Sequence, residues 1–560
     1  MDTTTGAGPV LAGLMQDDFP LTLAHPLERM RSCFGAREIV TLEDEEGRTA
    51  RSSYAAVCER VDRLANALRA LGVQRGDRVA TFAWNSQRHF ELYFAVPCAG
   101  AVLHTANIRL SAEQILYTLD HAGDRVVFVD ASLVETLAQI APRARTVETW
   151  VVMGETADAA ALPNAVGYEE LLAAQPPACD YPRLDERAAA ALCYTSGTTG
   201  PPKGVLYSHR SITLHAAGTL MADSMAISSE DRILSVVPMF HVNAWGVPFA
   251  AALSGAQLVM PSRFLSPQPL ARLIERERCT VMHAVPTLFA DLLRHAREAH
   301  PDLSSLRNCI SGGAAVPKTL MQALEAEHGA HVWQAWGMTE TSPVCAVSRP
   351  PERLRDTDPE RYWELRACAG RIVPLVEARV AGEDGAPLPA GDARAGELQV
   401  RGPWVARAYF DPEPDAEERF ADDWLRTGDI ACLDAGGWLR ITDRAKDVIK
   451  SGGEWISSVE LECELVAHPL VAEAAVVAIP DERWSERPLA CIVPAGDEAP
   501  DAEELATHLR ARVPRWWVPE RFVAVDALPH TSTGKLDKKR LRAQLADGTL
   551  ATRDRVGGAR

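Results

Sequence analysis

The chain has 560 residues, and its 58 lysines and arginines against 76 aspartates and glutamates give a formal net charge of −18. That balance argues against a broad electrostatic grip on nucleic acid or on an anionic lipid surface, so any phosphate must be held locally. With 47% apolar and 24% charged residues, the composition is that of a globular protein able to bury large cores, which excludes disordered and fibrous classes.

At about 100–200 residues per domain, the length predicts three or four structural units. The twelve cysteines are scattered and none forms a C-x-x-C pair, which reads as reduced thiols rather than a disulfide frame or zinc site. A cytoplasmic location follows as the expectation, with room for peripheral contact at a membrane. The start, MDTTTGAGPVLAG, lacks the basic and apolar regions of a secretory signal. No stretch reaches the roughly 18 uninterrupted apolar residues of a membrane span, so stable insertion is not expected.

In chain order, Tyr54, Val57, Val61, Leu64, Leu68 and Leu71 step by three and four, which predicts an amphipathic helix ended by Gly72. Compact apolar runs follow at Arg78 to Trp84, Arg125 to Val129, Thr149 to Met153 and Ala188 to Tyr194, each bounded by turn residues. Leu265 to Glu277 reads as helix and Thr280 to Val285 as strand, an alternation that predicts α/β layering. From Leu375 the texture changes to short strands with Gly, Pro and Asp turns, as in a small β-rich subdomain. After Asp443 to Asp447 the chain restarts with a helix at Ser458 to Val466, a strand at Ala474 to Ile479, a helix at Ala502 to Val513 and a strand at Arg521 to Val525. That is the size of a small α+β domain, and the charged DRAKD segment is a candidate hinge. The terminal stretch GTLATRDRVGGAR is expected to fray.

The strongest local signal is residues 194–204, YTSGTTGPPKG. Hydroxyls, glycine N–H groups and one lysine converge on a loop after a buried strand, as polyphosphate charge requires. It is not a Walker loop: five residues beyond Gly197 stands Pro202, and Lys203 is followed by Gly204. Further along come PMFHVNAWG (238–246), SGGAAVP (311–317), QAWGMTE (334–340), WLRTGD (424–429), GWLRITDRAKDVIKSGGE (437–454) and PHTSTGK (529–535). Seven ordered segments are hard to obtain by chance.

Together they resemble the adenylate-forming superfamily of acyl-CoA synthetases, luciferases and peptide-synthetase adenylation domains, and most of all its medium- and long-chain fatty acyl-CoA synthetases. The resemblance implies an α/β fold: a large N-terminal domain of layered α/β subdomains with a small β-rich subdomain, then a small mobile α+β C-terminal domain. The expected limits are 1–443 (β-rich at about 375–443), a hinge at 444–447, and 448–560.

By the same resemblance, Thr195, Ser196, Gly197, Thr198, Thr199, Gly200 and Lys203 cradle the phosphates of ATP. Gly312, Gly313 and Ala314 form the adenine-side loop. Gln334, Ala335, Trp336, Gly337, Met338 and Thr339 complete the nucleotide site, Trp336 replacing the usual tyrosine with an indole that can also stack. Glu340, with Thr195, is expected to hold Mg2+, a hard ion that favours oxygen ligands. Asp429 accepts from the ribose hydroxyls and Arg444 contacts the ribose. His241 and Trp245 line the acyl pocket, Trp245 as its gate. An amino acid substrate is not expected, because amino-acid-activating relatives carry an Asp where this chain has His241. Asp443 and Lys446 mark the hinge, and Lys450, Ser451, Gly452 and Gly453 face CoA. Lys535 is the catalytic lysine that bridges substrate carboxylate and α-phosphate, with His241 and Thr195 beside it.

The implied activity is ATP-dependent ligation of a medium- or long-chain fatty acid to CoA through an acyl adenylate, with release of pyrophosphate and AMP. ATP, Mg2+ and CoA are the expected cofactors and co-substrates, and a carboxylic acid the expected partner. Ligases for short, branched, methylthio or aryl carboxylates stay open, as do a ligase that loads a carrier protein and a non-catalytic adenylate-binding protein. Leu11 to Leu23 resembles a family segment that takes part in dimer contacts, so a homodimer stands beside a frayed tail as an expectation.

Overall fold

A computed structural model describes residues 15–553 except 17, 155–159, 196–200, 390, 393, 413–418, 452–453, 497–498, 532–534 and 551. The described strands form three sheets, of fourteen, seven and six strands.

In the seven-stranded sheet the first six strands run parallel, in the order Ala165–Gly167, Thr149–Met153, Asp124–Asp130, Arg78–Phe82, Val102–Thr105 and Ala189–Tyr194. The seventh, Gly204–Ser208, folds back antiparallel on Ala189–Tyr194. Parallel strands covered on both faces read as continuous apolar runs, which is why four of these were visible in the sequence, whereas the short strands Val102–Thr105 and Ala165–Gly167 were not.

The fourteen-stranded sheet is built around six more parallel strands: Glu38–Leu42, Gln257–Met260, Arg232–Ser235, Val281–Ala284, Asn308–Gly312 and His331–Gly337. Beyond His331–Gly337 the pairing turns antiparallel and runs without a break through Val344–Val347, Gly370–Ile372, Trp438–Arg444, Trp424–Leu433 and Gly396–Arg401 to Glu377–Ala381. The β-rich segment is thus a hydrogen-bonded extension of the α/β sheet rather than a sheet of its own.

Helices Tyr54–Ala70, Gln87–Cys98 and Val247–Ser254 supply much of the core shared by these two sheets, through residues such as Tyr54, Phe90, Phe94 and Phe249. The predicted first helix is capped by Ser53, whose Oγ accepts from Ala56 N–H. On the outer face, Pro267–Glu277, Pro286–Ala299 and Lys318–His328 bury Leu270, Ile274, Phe289, Leu292 and Met321. The third sheet lies within residues 449–553 and has its own core, including Ile449, Leu461, Leu465, Ile492 and Leu509. Its strand Ser485–Pro494 was not expected, because a charged start and two prolines mask it, yet it pairs with both Val471–Asp481 and Arg521–Val525. Thr552 and Arg553, in the stretch expected to fray, pair with Val525 and Ala524.

Tight inter-element contacts set clear limits on substitution. Helix Val247–Ser254 ends at Gly255 with φ +81°, and a Cβ there would lie 2.4 Å from Cδ1 of Phe34, on helix Ala24–Phe34. Overpacking costs about 1–3 kcal/mol, and a left-handed side-chain residue about 1–2 kcal/mol more. Gly255→Ala is therefore expected to lower N-terminal domain stability by roughly 2–5 kcal/mol in urea unfolding; a wild-type midpoint would show that Phe34 can yield.

Candidate functional site

The carboxyl ends of the parallel strands open into one cavity of about 550 Å³. Thr195 follows Ala189–Tyr194, Val236 follows Arg232–Ser235, Val285 follows Val281–Ala284, and Gly313 follows Asn308–Gly312; all four line it. Ligands in open α/β sheets sit at such ends because loops there can diverge while the strands stay fixed. Six cationic side chains, Arg109, Lys203, Arg419, Arg444, Lys446 and Lys535, line the cavity among the described residues, against one carboxylate, Glu340. A protein of net charge −18 thus encloses a pocket of strong positive excess.

The neck of the 194–204 loop is well defined. Thr195 N–H donates to Lys203 O at 2.9 Å, and Lys203 N–H returns a bond to Thr195 Oγ1 at 3.1 Å. Ser196, Gly197, Thr198, Thr199 and Gly200 lie outside the described residues. Lys203 Nζ stands 5.2 Å over the ring of Tyr409. The Tyr409 hydroxyl donates to Glu340 Oε1 at 2.6 Å, and Arg419 Nη1 donates to the same oxygen at 3.0 Å. Glu340 sits in the short turn Thr339–Thr341 that follows strand His331–Gly337, and its carboxylate is 4% exposed.

Asp429 and Arg444 are direct partners across the antiparallel strands Trp424–Leu433 and Trp438–Arg444, which explains their 2.6 Å ion pair. Asp429 Oδ2 accepts from Trp336 Nε1 at 2.9 Å. The indole thus does something besides offering a face: its N–H fixes the neighbouring carboxylate. Gly312 and Gly313 both line the cavity, and a Cβ on Gly313 would come 3.3 Å from Lys535 Cε. Ala335, Gly337, Met338 and Thr339 line it too. Two expected residues are elsewhere: Gln334 turns away to accept Val316 N–H at 2.8 Å, and Ala314 is exposed.

Lys535 reaches this cavity from the C-terminal domain. Its loop is closed at the neck as the first is, Thr531 N–H donating to Lys535 O at 2.7 Å and Lys535 N–H to Thr531 Oγ1 at 3.2 Å. Burial, and then Arg444, push its amine down to about 8, while Asp429 and Glu340 oppose the shift.

Beside the apolar lining, His241 is half-buried, with Nδ1 enclosed and unpartnered among the described residues. Burial first, then Lys535 and Arg109, lower its imidazole to about 3, so the ring is neutral near pH 7. Val242, Asn243, Ala244 and Trp245 have φ of +47° to +58°, and Gly246 +76°. Four non-glycine residues in a left-handed turn cost about 1–2 kcal/mol each and persist only where their surroundings fix them. Asn243 Oδ1 accepts from Cys193 Sγ at 3.3 Å and Thr105 Oγ1 at 3.4 Å, which helps to do so. The indole of Trp245 lies where a Cβ on Gly312 would be 3.0 Å from Cη2.

The hinge segment splits. Asp443 is buried and caps helix Ser458–Val466, accepting from Ser458 N–H at 2.7 Å and Ser458 Oγ at 2.5 Å. Burial raises its carboxyl above the usual range, with Lys538 opposing. Lys446 lines the cavity, its amine lowered chiefly by burial. Lys450 and Ser451 are not brought to the cavity: Lys450 is exposed, and Ser451 Oγ accepts from Arg487 Nη1 at 3.2 Å. Gly452 and Gly453 lie outside the described residues. Arg109, Tyr409 and Arg419 were not singled out from sequence, since each belongs to no contiguous motif.

Comparison with known proteins matches this geometry to a family. Residues 31–410 match the family described as AMP-binding enzyme, and 460–535 the AMP-binding enzyme C-terminal domain. A long-chain-fatty-acid–CoA ligase of Thermus thermophilus is 45% identical over 94% of this chain and 96% of its own length. A 3-methylmercaptopropionyl-CoA ligase of Ruegeria pomeroyi is 42% identical over 94% of this chain and 98% of its own. Among solved structures, the anthranilate CoA ligase AuaEII in complex with anthranoyl-AMP superposes with a TM-score of 0.84 at 26% identity, covering 95% of this chain and 99% of that one. The chain belongs to the AMP-binding enzyme family and is an AMP-forming acyl-CoA synthetase, an acid–thiol ligase that uses ATP, a carboxylic acid and CoA.

Proposed function

We propose that this synthetase activates a medium- or long-chain fatty acid. The observation that carries the reading is the mixed lining of one cavity: six cations and Glu340 together with the apolar side chains of Val236, Phe240, Trp245, Leu265, Val285 and Leu288. Apolar walls suit a hydrocarbon tail, and a few convergent polar groups orient its head. The likeness to the Thermus ligase supports the same reading.

A carboxylate oxygen attacks the α-phosphorus, forming the acyl–phosphate bond as the bond to pyrophosphate breaks. Lys535 approaches both anions and offsets the charge that gathers between them. Neutral His241 offers one N–H to the carboxylate. Lys203 and the 195–200 loop hold the outgoing phosphates, and Asp429, fixed by Trp336 and Arg444, accepts from the ribose.

Magnesium fits the donors present. Tyr409 and Arg419 both bond Oε1 of Glu340, which leaves Oε2 to meet a cation, with the Thr195 hydroxyl on the same cavity wall. Glu340 and Thr195 would hold the ion jointly with ATP phosphates, as Mg2+ is commonly held. Bound there, it would neutralise phosphate charge. For the second half-reaction, the C-terminal domain turns at Lys446, withdrawing Lys535 and bringing the 450–453 face to the thiol path.

Lys535→Ala is expected to slow ATP–pyrophosphate exchange by about 100- to 1000-fold, the scale of losing one charge-stabilising donor. Exchange at the wild-type rate would remove Lys535 from adenylation. The lysine is charged below its pKa, so kcat/KM for exchange should fall as pH rises through about 8; a flat profile to pH 10 contradicts the assignment. Lys446→Pro should leave exchange nearly intact yet slow thioester formation by about tenfold or more. With acids from acetate to palmitate, CoA-dependent AMP release should peak at eight carbons or longer; a preference for acetate or benzoate refutes the fatty-acid reading.

A further inference from the structure

The strand Val281–Ala284 lies inside the parallel half of the large sheet, flanked by Arg232–Ser235 and Asn308–Gly312. All four of its residues are buried. Side chains alternate along a strand, and Met282 and Ala284 join the outer core while Val281 faces the core shared with Trp245. His283, level with Ile310 on the next strand, takes the same face as Val281.

His283 is fully buried, and neither ring nitrogen has a hydrogen-bond partner among the described residues. In such a setting a structural histidine would be bonded, because each buried polar atom left unpaired costs on the order of 1–3 kcal/mol. Its nearest aromatic neighbour is Trp245, edge-on at 6.5 Å with an interplanar angle of 86°. Trp245 also lines the cavity, so the indole is the wall between His283 and the space that takes the acyl tail. That wall stands at the end of the strained left-handed turn, the part of the site with most to gain by rearranging.

Burial lowers the imidazole to about 4, with Asp231 opposing. Near pH 7 the ring therefore presents one N–H donor and one nitrogen acceptor without charge, inside apolar surroundings. A carboxylate would be desolvated there with no cation beside the ring among the described residues to offset it, and Asp231, the anion that acts on the ring, is already paired with Arg307. A hydroxyl, which donates and accepts, matches either tautomer.

We propose that His283 is a specificity-determining residue: once Trp245 swings aside, it hydrogen-bonds a neutral hydroxyl carried in the tail of the acyl substrate, so that hydroxylated carboxylic acids are preferred over their plain counterparts. The proposal rests on the reading above that the apolar lining of the cavity receives the tail.

The test is CoA-dependent AMP release by the full-length enzyme on matched pairs: octanoate and 8-hydroxyoctanoate, decanoate and 10-hydroxydecanoate, cinnamate and 4-hydroxycinnamate. Wild type should favour the hydroxylated member of at least one pair by about tenfold or more in kcat/KM, since a site built to bond a hydroxyl rejects the analogue that lacks it. His283→Leu should abolish or invert that ratio, and His283→Gln, which keeps a donor and an acceptor, should retain most of it. A merely structural role would lower both members of a pair alike and leave the ratio unchanged. Equal ratios in wild type and His283→Leu, or a wild-type preference for the plain acid in every pair, overturn the proposal. Should no acid of any pair release AMP in wild type, the fatty-acid reading fails along with it, whereas brisk turnover without discrimination sinks the hydroxyl proposal alone.

Discussion

An amine enclosed among groups of both signs is the interaction on which the rest depends. Lys535 comes from one domain, while Arg444, Asp429 and Glu340, the charges that set its protonation, come from the other. Burying a cation costs several kcal/mol unless partners offset it. Here the carboxylates are already engaged, Asp429 by Trp336 and Arg444, and Glu340 by Tyr409 and Arg419. With both carboxylates so engaged, the lysine is left under-neutralised, in a cavity whose described lining holds six cations and one carboxylate. Such a pocket is incomplete without polyanionic ligand, which is the condition an ATP-using enzyme needs before its substrates arrive.

Parallel strands such as Arg78–Phe82, Asp124–Asp130, Thr149–Met153, Ala189–Tyr194 and Val281–Ala284 were legible because burial on both faces leaves no alternation to decode, only apolar runs between turns. Residues 194–204, 334–340 and 529–535 were legible because each packs its chemistry into one short segment. Tyr409 and Arg419 could not be found that way: they reach Glu340 from 69 and 79 positions further along, through closure of the antiparallel half of the sheet. Arg109 likewise enters the cavity from a loop outside all seven segments. The left-handed turn at 242–246 carried little local signal, since among its non-glycine residues only Asn243 tolerates that conformation well. Gln334 shows the converse error: it lies within a motif, but its side chain is spent on Val316 N–H.

The C-terminal domain is held to the rest by more than the lysine. Asp443 caps helix Ser458–Val466, and Lys538 donates to Ser458 Oγ and pairs with Glu462 at 2.7 Å. Glu462 is largely enclosed, and burial lifts its carboxyl to about 7 against the pull of Lys538. Arg542 reaches back to Asp447 at 2.8 Å. Of these contacts, the bonds from Ser458 to Asp443 join the two sides of Lys446, while the others tie the segment just beyond it to the helices of the C-terminal domain.

The unbroken run of hydrogen bonds from the parallel strands into the β-rich segment has a mechanical consequence. Trp336, Asp429 and Arg444 all ride on one continuous sheet, whose pairing at this edge ends with Arg444. Lys446 stands only two positions beyond. The aromatic ring, the carboxylate and the guanidinium therefore behave as parts of a single stiff plate, and freedom of the chain begins immediately past its rim. On the proposed reading, a swing of the smaller domain about Lys446 would leave these three residues in place, so that one set of reacting groups could replace another without loosening the hold on the adenylate.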